Sequence, residues 1–401
     1  MKLTSFVRYS LIAASLSLVS GCSLLGYSDD EKTYKELQPL TTSVPANILW
    51  QGEVGDGVGS FFSRLHPVKV KDYVIAADRA GEVRAMNAAT GALVWQIDVR
   101  ELLGSEGDGW IFPSEPFRIA GGLSTNPSQT QVYLGSENGT LLALNAEDGS
   151  LFWQASVDGE VLTDPVVSDG IVVLNTGSGT IVALSEQTGE EIWTLGTDVP
   201  ALSLRGTGAP AVTNGGVLFG TANGKLKVAV LDNGQEAWEA RLAVPQGATE
   251  LQRLVDSDVQ PIISGTAAYS IAYNGQLSAV ELRSGRILWQ REYSSYRDMS
   301  YTLGRLYLTD SQDSVYAVDV NGGIELWSND DFQGRSVTEP VRFGDYIVVG
   351  DRFGFLHFLA AGSGENVGRL ELDSEIYTAP IVAGDTMYLQ LRDGSVLALG
   401  L

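Results

Sequence analysis

Ser178-Gly-Thr-Ile-Val-Ala-Leu-Ser-Glu-Gln-Thr-Gly-Glu-Glu-Ile-Trp193 decides the fold, because the chain repeats its pattern eight times. A glycine opens the stretch, alternating apolar residues follow, a second glycine stands at 189 and a tryptophan at 193. The same spacing joins Gly81, Gly91 and Trp95, then Gly139, Gly149 and Trp153. It returns at Gly224, Gly234 and Trp238, and at Gly275, Gly285 and Trp289. Asp313 replaces the first glycine before Gly323 and Trp327, and Gly368 stands where the seventh copy should carry tryptophan. The eighth copy opens at Gly394, and its missing half matches Ile48-Leu49-Trp50 at the other end of the chain.

A period near 40 residues marks blades or solenoid units. Apolar residues alternate within each copy, so the units are β. In Asp164-Pro-Val-Val-Ser-Asp-Gly-Ile-Val-Val-Leu-Asn175 short apolar runs are cut by turn residues, and the unit continues through Gly-Ser-Gly and Thr-Gly. That makes four short strands per unit. Eight such units form an all-β, eight-bladed propeller of four-stranded antiparallel blades. The split eighth copy closes the ring, with the N-terminal strand joining the C-terminal blade. One tryptophan per blade at a fixed offset on the outer strand reads as a docking residue, its N–H finding a carbonyl in the neighbouring blade. The Thr-Gly pairs are turns in which glycine accepts positive φ.

Length alone would allow two or three domains, but blades need neighbours to bury their faces. The expected division is residues 1–21 as signal, 22–44 as a flexible tether and 45–401 as propeller. Net charge is −23, which disfavours nucleic acid and anionic membrane surfaces. A single cysteine, Cys22, excludes an intramolecular disulfide. Lys2 and Arg8 precede a short apolar run from Leu11 to Val19, the pattern of an export signal. Leu18-Val-Ser-Gly-Cys22 resembles the bacterial lipobox, in which the signal is cut before a cysteine that is then lipidated. Ser23, in place of an aspartate, implies the outer membrane.

Function on a propeller sits in the loops that break the repeat. Two are long and consecutive: Val199-Pro-Ala-Leu-Ser-Leu-Arg-Gly206 and Glu250-Leu-Gln-Arg-Leu-Val-Asp-Ser-Asp258. Both join an outer strand to the next inner strand, so they are neighbours on one face. Leu202, Leu204 and Arg205 beside Asp256 and Asp258 suit a protein interface. They equally suit an internal ion pair of Arg205 with Asp256 or Asp258, with the leucines as core. A further excursion spans Glu101–Gly122.

The pattern Ala-Leu-x-x-x-Thr-Gly-x-x-x-Trp resembles the repeats of pyrroloquinoline-quinone dehydrogenases, which makes an enzyme the rival expectation. Such enzymes need a cofactor cradle, a bound cation and a catalytic carboxylate. The chain has no haem-attachment motif, nucleophile elbow or phosphate loop, and its two histidines, His66 and His357, lie in different blades. No catalytic residue, metal site or cofactor is expected. The third reading is a propeller that binds an envelope ligand in its channel.

The lipobox, acidic tether, eight repeats, Ala201-Leu-Ser-Leu-Arg-Gly206 and Arg253-Leu-Val-Asp-Ser-Asp258 together resemble the BamB family. These are the propeller lipoproteins of the outer-membrane β-barrel assembly (BAM) machinery. The resemblance covers the whole chain. It implies a non-enzymatic scaffold, lipid-anchored at Cys22 to the outer membrane and facing the periplasm. It assigns contacts with the periplasmic POTRA domains of BamA to Leu202, Leu204, Arg205, Asp256 and Asp258. Unfolded outer-membrane proteins are a further expected partner, held by transient pairing with strand edges.

Overall fold

Glycine and tryptophan set the geometry of every blade. In blade 3, strands Val166–Ser168, Ile171–Asn175, Thr180–Ser185 and Glu191–Gly196 pair antiparallel in chain order. Gly179 turns the second strand into the third at φ 77°, and Gly189 turns the third into the fourth at φ 71°. Other side chains strain at such angles. Asp313 holds the equivalent position at φ 68°. Its carboxylate accepts from Arg297 Nη2 at 2.7 Å and from the Ser336 amide at 2.9 Å, which fastens the strained turn to the next loop.

The computed structural model describes residues 33–40, 44–103 and 117–401. It contains eight four-stranded sheets. Blades 1 to 7 span residues 68–98, 124–156, 166–196, 211–241, 262–291, 300–329 and 341–371. Blade 8 takes three strands from 381–400 and its outer strand from Asn47–Glu53, in antiparallel register from Asn47 opposite Gly400 to Glu53 opposite Ser395. The eight-bladed ring therefore closes as the split repeat requires. The expected signal peptide and Cys22 lie outside the described residues, as does much of the Glu101–Gly122 excursion. The compact unit that holds the blades begins at Glu36, and residues before the first strand pack on it.

Seven indoles dock on the following blade. Trp193 Nε1 donates to the Leu231 carbonyl at 2.6 Å, and a Cβ on Gly234 would lie 2.6 Å from the ring. Trp50, Trp95, Trp153, Trp238, Trp289 and Trp327 donate likewise to Ala88, Ala146, Glu186, Leu282, Val320 and Ala361, at 2.8–3.1 Å. Glycine is needed there because the ring occupies the space of a side chain. At the seam of blades 7 and 8, Gly368 leaves a gap that Val44 fills. Each outer strand also bulges beside the tryptophan position: Ala183 faces Trp193 while Leu184 faces Glu191, leaving Ile192 unpaired and exposed.

Replacing Trp193 with alanine is expected to lower stability by about 3 kcal/mol, the cost of losing a buried aromatic. Trp193→Phe should cost about 1 kcal/mol, mainly the lost hydrogen bond plus a small void. Urea unfolding monitored by circular dichroism distinguishes these; equal, negligible losses would mean the indole is not a seam residue.

Candidate functional site

In an antiparallel blade, outer-to-inner connections and second-to-third-strand turns share one face. The two long loops meet there. The Leu204 amide donates to Asp256 Oδ2 at 3.1 Å, so the second loop holds the first. Gly208 lies close enough that a Cβ would stand 2.6 Å from the Val259 carbonyl. Asp256 is fixed in turn by backbone bonds with Tyr273.

Leu202 and Arg205 are exposed and Leu204 is half-buried. The two aspartates differ from the expectation: Asp256 and Asp258 are buried, at 1% and 5% exposure. They face the loops, not solvent. The expected internal pairing of Arg205 with either of them is also absent. Arg205 Nη2 instead reaches Glu137 at 3.1 Å and Glu160 at 3.2 Å, acids on the turn of blade 2 and on the connection to blade 3. These partners were invisible in the sequence because they belong to other repeats. The second loop offers solvent Leu251, exposed at 72%, where the aspartates were expected.

The face extends beyond the two loops. Arg79 donates to Glu137 at 2.6 Å and stacks 4.0 Å above the Phe61 ring. Phe61 and Phe62 are exposed and lie on the connection from blade 8 to blade 1. Arg64 on that connection donates to the Asp258 carbonyl at 2.9 Å and to Asp298 at 3.3 Å. The surface is therefore rigid, with apolar residues around an arginine that is itself braced by two carboxylates.

Burial pushes the Asp258 carboxyl well above the usual range, and the neighbouring Asp256 adds to the shift. Burial raises Asp256 too, opposed by its bonds to Asp258 and to the Leu204 amide. Exclusion of water thus disfavours charge on both carboxyls, and the charge of Asp256 makes Asp258 harder still to ionise.

The axial channel holds a second polar group. His66 Nε2 lies 2.8 Å from Asp164 Oδ2. Burial opposes the charged ring, but Asp164 outweighs it and raises the histidine to about 9. Glu339, raised by burial and by Asp298, lines the same cavity of about 290 Å³. His357 is a strand residue, buried and bonded to Asp351 at 3.0 Å. Among the described residues no three histidine, cysteine or acidic side chains are placed to hold a metal ion.

Comparison with known proteins points one way. The family described as "Outer membrane protein assembly factor BamB" matches residues 79–329 and 311–400. The protein of that description from Yersinia pestis is 41% identical over 385 residues, 96% of each chain. That from Escherichia coli K12 is 38% identical over 386 residues, again 96% of each. Among solved structures, BamB from Moraxella catarrhalis superposes with a TM-score of 0.77 at 25% identity, covering 89% of this chain and 100% of that one. A quinohemoprotein alcohol dehydrogenase from Comamonas testosteroni gives 0.65 at 14% identity, covering 88% and 76%, a likeness of fold alone.

The buried carboxyl pair generates a pH dependence of defined sign. A group whose folded pKa is raised contributes stability that is full below the ordinary carboxylate range and is lost as pH rises through the folded value. As pH rises above the ordinary carboxylate range the melting temperature of the native chain should therefore fall relative to that of Asp258→Asn, which carries no charge. Parallel melting curves above that range would mean the pair is not desolvated.

Proposed function

The chain belongs to the family of outer membrane protein assembly factor BamB, and from that membership we propose that it is a non-enzymatic scaffold lipoprotein of the outer-membrane β-barrel assembly complex. Its signal is removed, Cys22 carries the lipid, and the propeller faces the periplasm from the outer membrane. One face of the ring grips the POTRA domains of BamA and aids folding and insertion of barrel proteins. Tethering adds to the grip by raising the effective concentration of one partner near the other.

The observation that supports this reading most is the rigid presentation of Leu202, Leu204 and Arg205. An exposed arginine among apolar side chains is a common anchor of protein interfaces. Holding it in place beforehand lowers the ordering cost of binding. Asp256 and Asp258 serve the contact from beneath, as positioning residues: Asp256 fixes the Leu204 backbone, and the Asp258 carbonyl receives Arg64 from the connection that carries Phe61 and Phe62. Leu251 on the adjacent loop adds apolar surface.

In a pull-down from detergent-solubilised membranes, Arg205→Glu should retain at least about tenfold less BamA than the native chain, a loss of about 1.4 kcal/mol. Both chains must melt at similar temperatures. Retention of BamA by the variant would remove this face from the interface, and absence of BamA from the native sample would overturn the scaffold reading. Cys22→Ala should abolish labelled-palmitate incorporation and release the protein from membranes. Turnover of an alcohol with added pyrroloquinoline quinone and an artificial acceptor would favour the dehydrogenase reading.

A further inference from the structure

Blade 7 departs from the repeat at two positions at once. Gly368 replaces the docking tryptophan. Arg369 follows it, where a glutamine, threonine, glutamate or serine follows each of the seven docking tryptophans, as Gln96, Thr194, Glu239 and Ser328 do. Beneath Arg369 stands His357 on the third strand, at a position the other blades fill variously, from Val182 in blade 3 to Lys227 in blade 4. All three lie along one path, and the chain segment preceding the first strand occupies it.

Leu37 packs into the seam of blades 6 and 7 with Trp327, Phe332 and Val337. Arg369 Nη2 donates to the Gln38 carbonyl at 3.3 Å. Val44 enters the space above Gly368 that any side chain there would claim. Val44 and Ala46 then pack with Phe343, Phe358 and Leu399 over the seam of blades 7 and 8. The segment thus seals the seam that has no indole.

The polar groups beneath form a directed chain. Arg369 Nε donates to His357 Nδ1 at 3.4 Å. Arginine has no acceptor, so the ring proton sits on Nε2 and is donated to Asp351 at 3.0 Å. Arg335 Nε donates to the same carboxylate at 2.7 Å, and Asp351 and His357 are both fully buried. Phe332 lies 4.5 Å from the imidazole and Phe355 packs under Arg369. Each side chain in the chain is fixed by the next, so the Arg369 donor is held toward the Gln38 carbonyl.

We propose that the outer surface of blade 7 is a seat for the chain's own N-terminal arm, residues 36–40 and 44–46, so that the chain leaves the propeller at one fixed point on its rim. The consequence for anchoring rests on the lipid reading given under Proposed function. Between Cys22 and Glu36 the chain can reach at most about 50 Å, and release of the arm would add about 35 Å to that leash. A seated arm therefore restricts both the distance and the side from which the ring hangs.

Hydrogen exchange with mass spectrometry on the full chain in detergent tests the seat. Leu37→Asp combined with Arg369→Ala should lower protection of residues 36–40 and 44–46 at least tenfold while the strand Ile171–Asn175 stays as protected as in the native chain. Gly368→Trp should expel Val44 and should give the same local loss. Arm amides that exchange freely in the native chain, or keep full protection in both variants, overturn the seat. In Cys22→Ala the arm should stay protected; membrane release with an intact seat separates this proposal from the lipid reading.

Discussion

An indole N–H that reaches a carbonyl in the following blade is the contact on which the ring depends. It requires three things together: a tryptophan on the outer strand, a glycine in the next blade's turn, and positive φ at that glycine. The hydrogen bond is modest in net terms, about 1 kcal/mol. The larger gain is apolar burial of the ring in a slot that only glycine leaves open. Repeated at seven seams, it ties blades that are separate sheets into one body. The eighth seam uses a different solution, Val44 over Gly368, and the antiparallel pairing of Asn47–Glu53 with the C-terminal strand completes blade 8.

That rigid ring lets one face carry irregular loops without loss of order. Leu202, Leu204 and Arg205 stand on a loop that is braced from below by Asp256 and from the side by Glu137 and Glu160. The braces come from two connections between blades and one turn within blade 2. A partner meeting this face meets a preformed surface, and the exposed Phe61 and Phe62 continue it toward the first blade.

The fold was legible because glycine and tryptophan are there for steric reasons that survive in a bare sequence. A turn at φ near 70° and a slot filled by an indole leave few alternatives, so their spacing reports blades directly. The two loops were legible as breaks in that spacing, and their adjacency followed from strand direction. The roles of Asp256 and Asp258 were not legible: two carboxylates in a long loop look solvent-facing, and only the packing of one loop on another buries them. Likewise the partners of Arg205 lie in other repeats, and local pattern carries no record of them. Gly368 was visible as an exception, but its compensation by Val44 joins opposite ends of the chain.

The bulge in each outer strand has a bearing on what the rim can bind. Those strands present the free edges of the blades, and a long regular edge is a template for any extended chain. In blade 3 the regular ladder runs from Gly196 to Trp193 and then breaks at Ile192. A visiting strand thus finds about four residues of continuous backbone before the register fails, too little to be held for long. The broken register leaves the rim a poor template, so it resists fusing with the edge of a second ring.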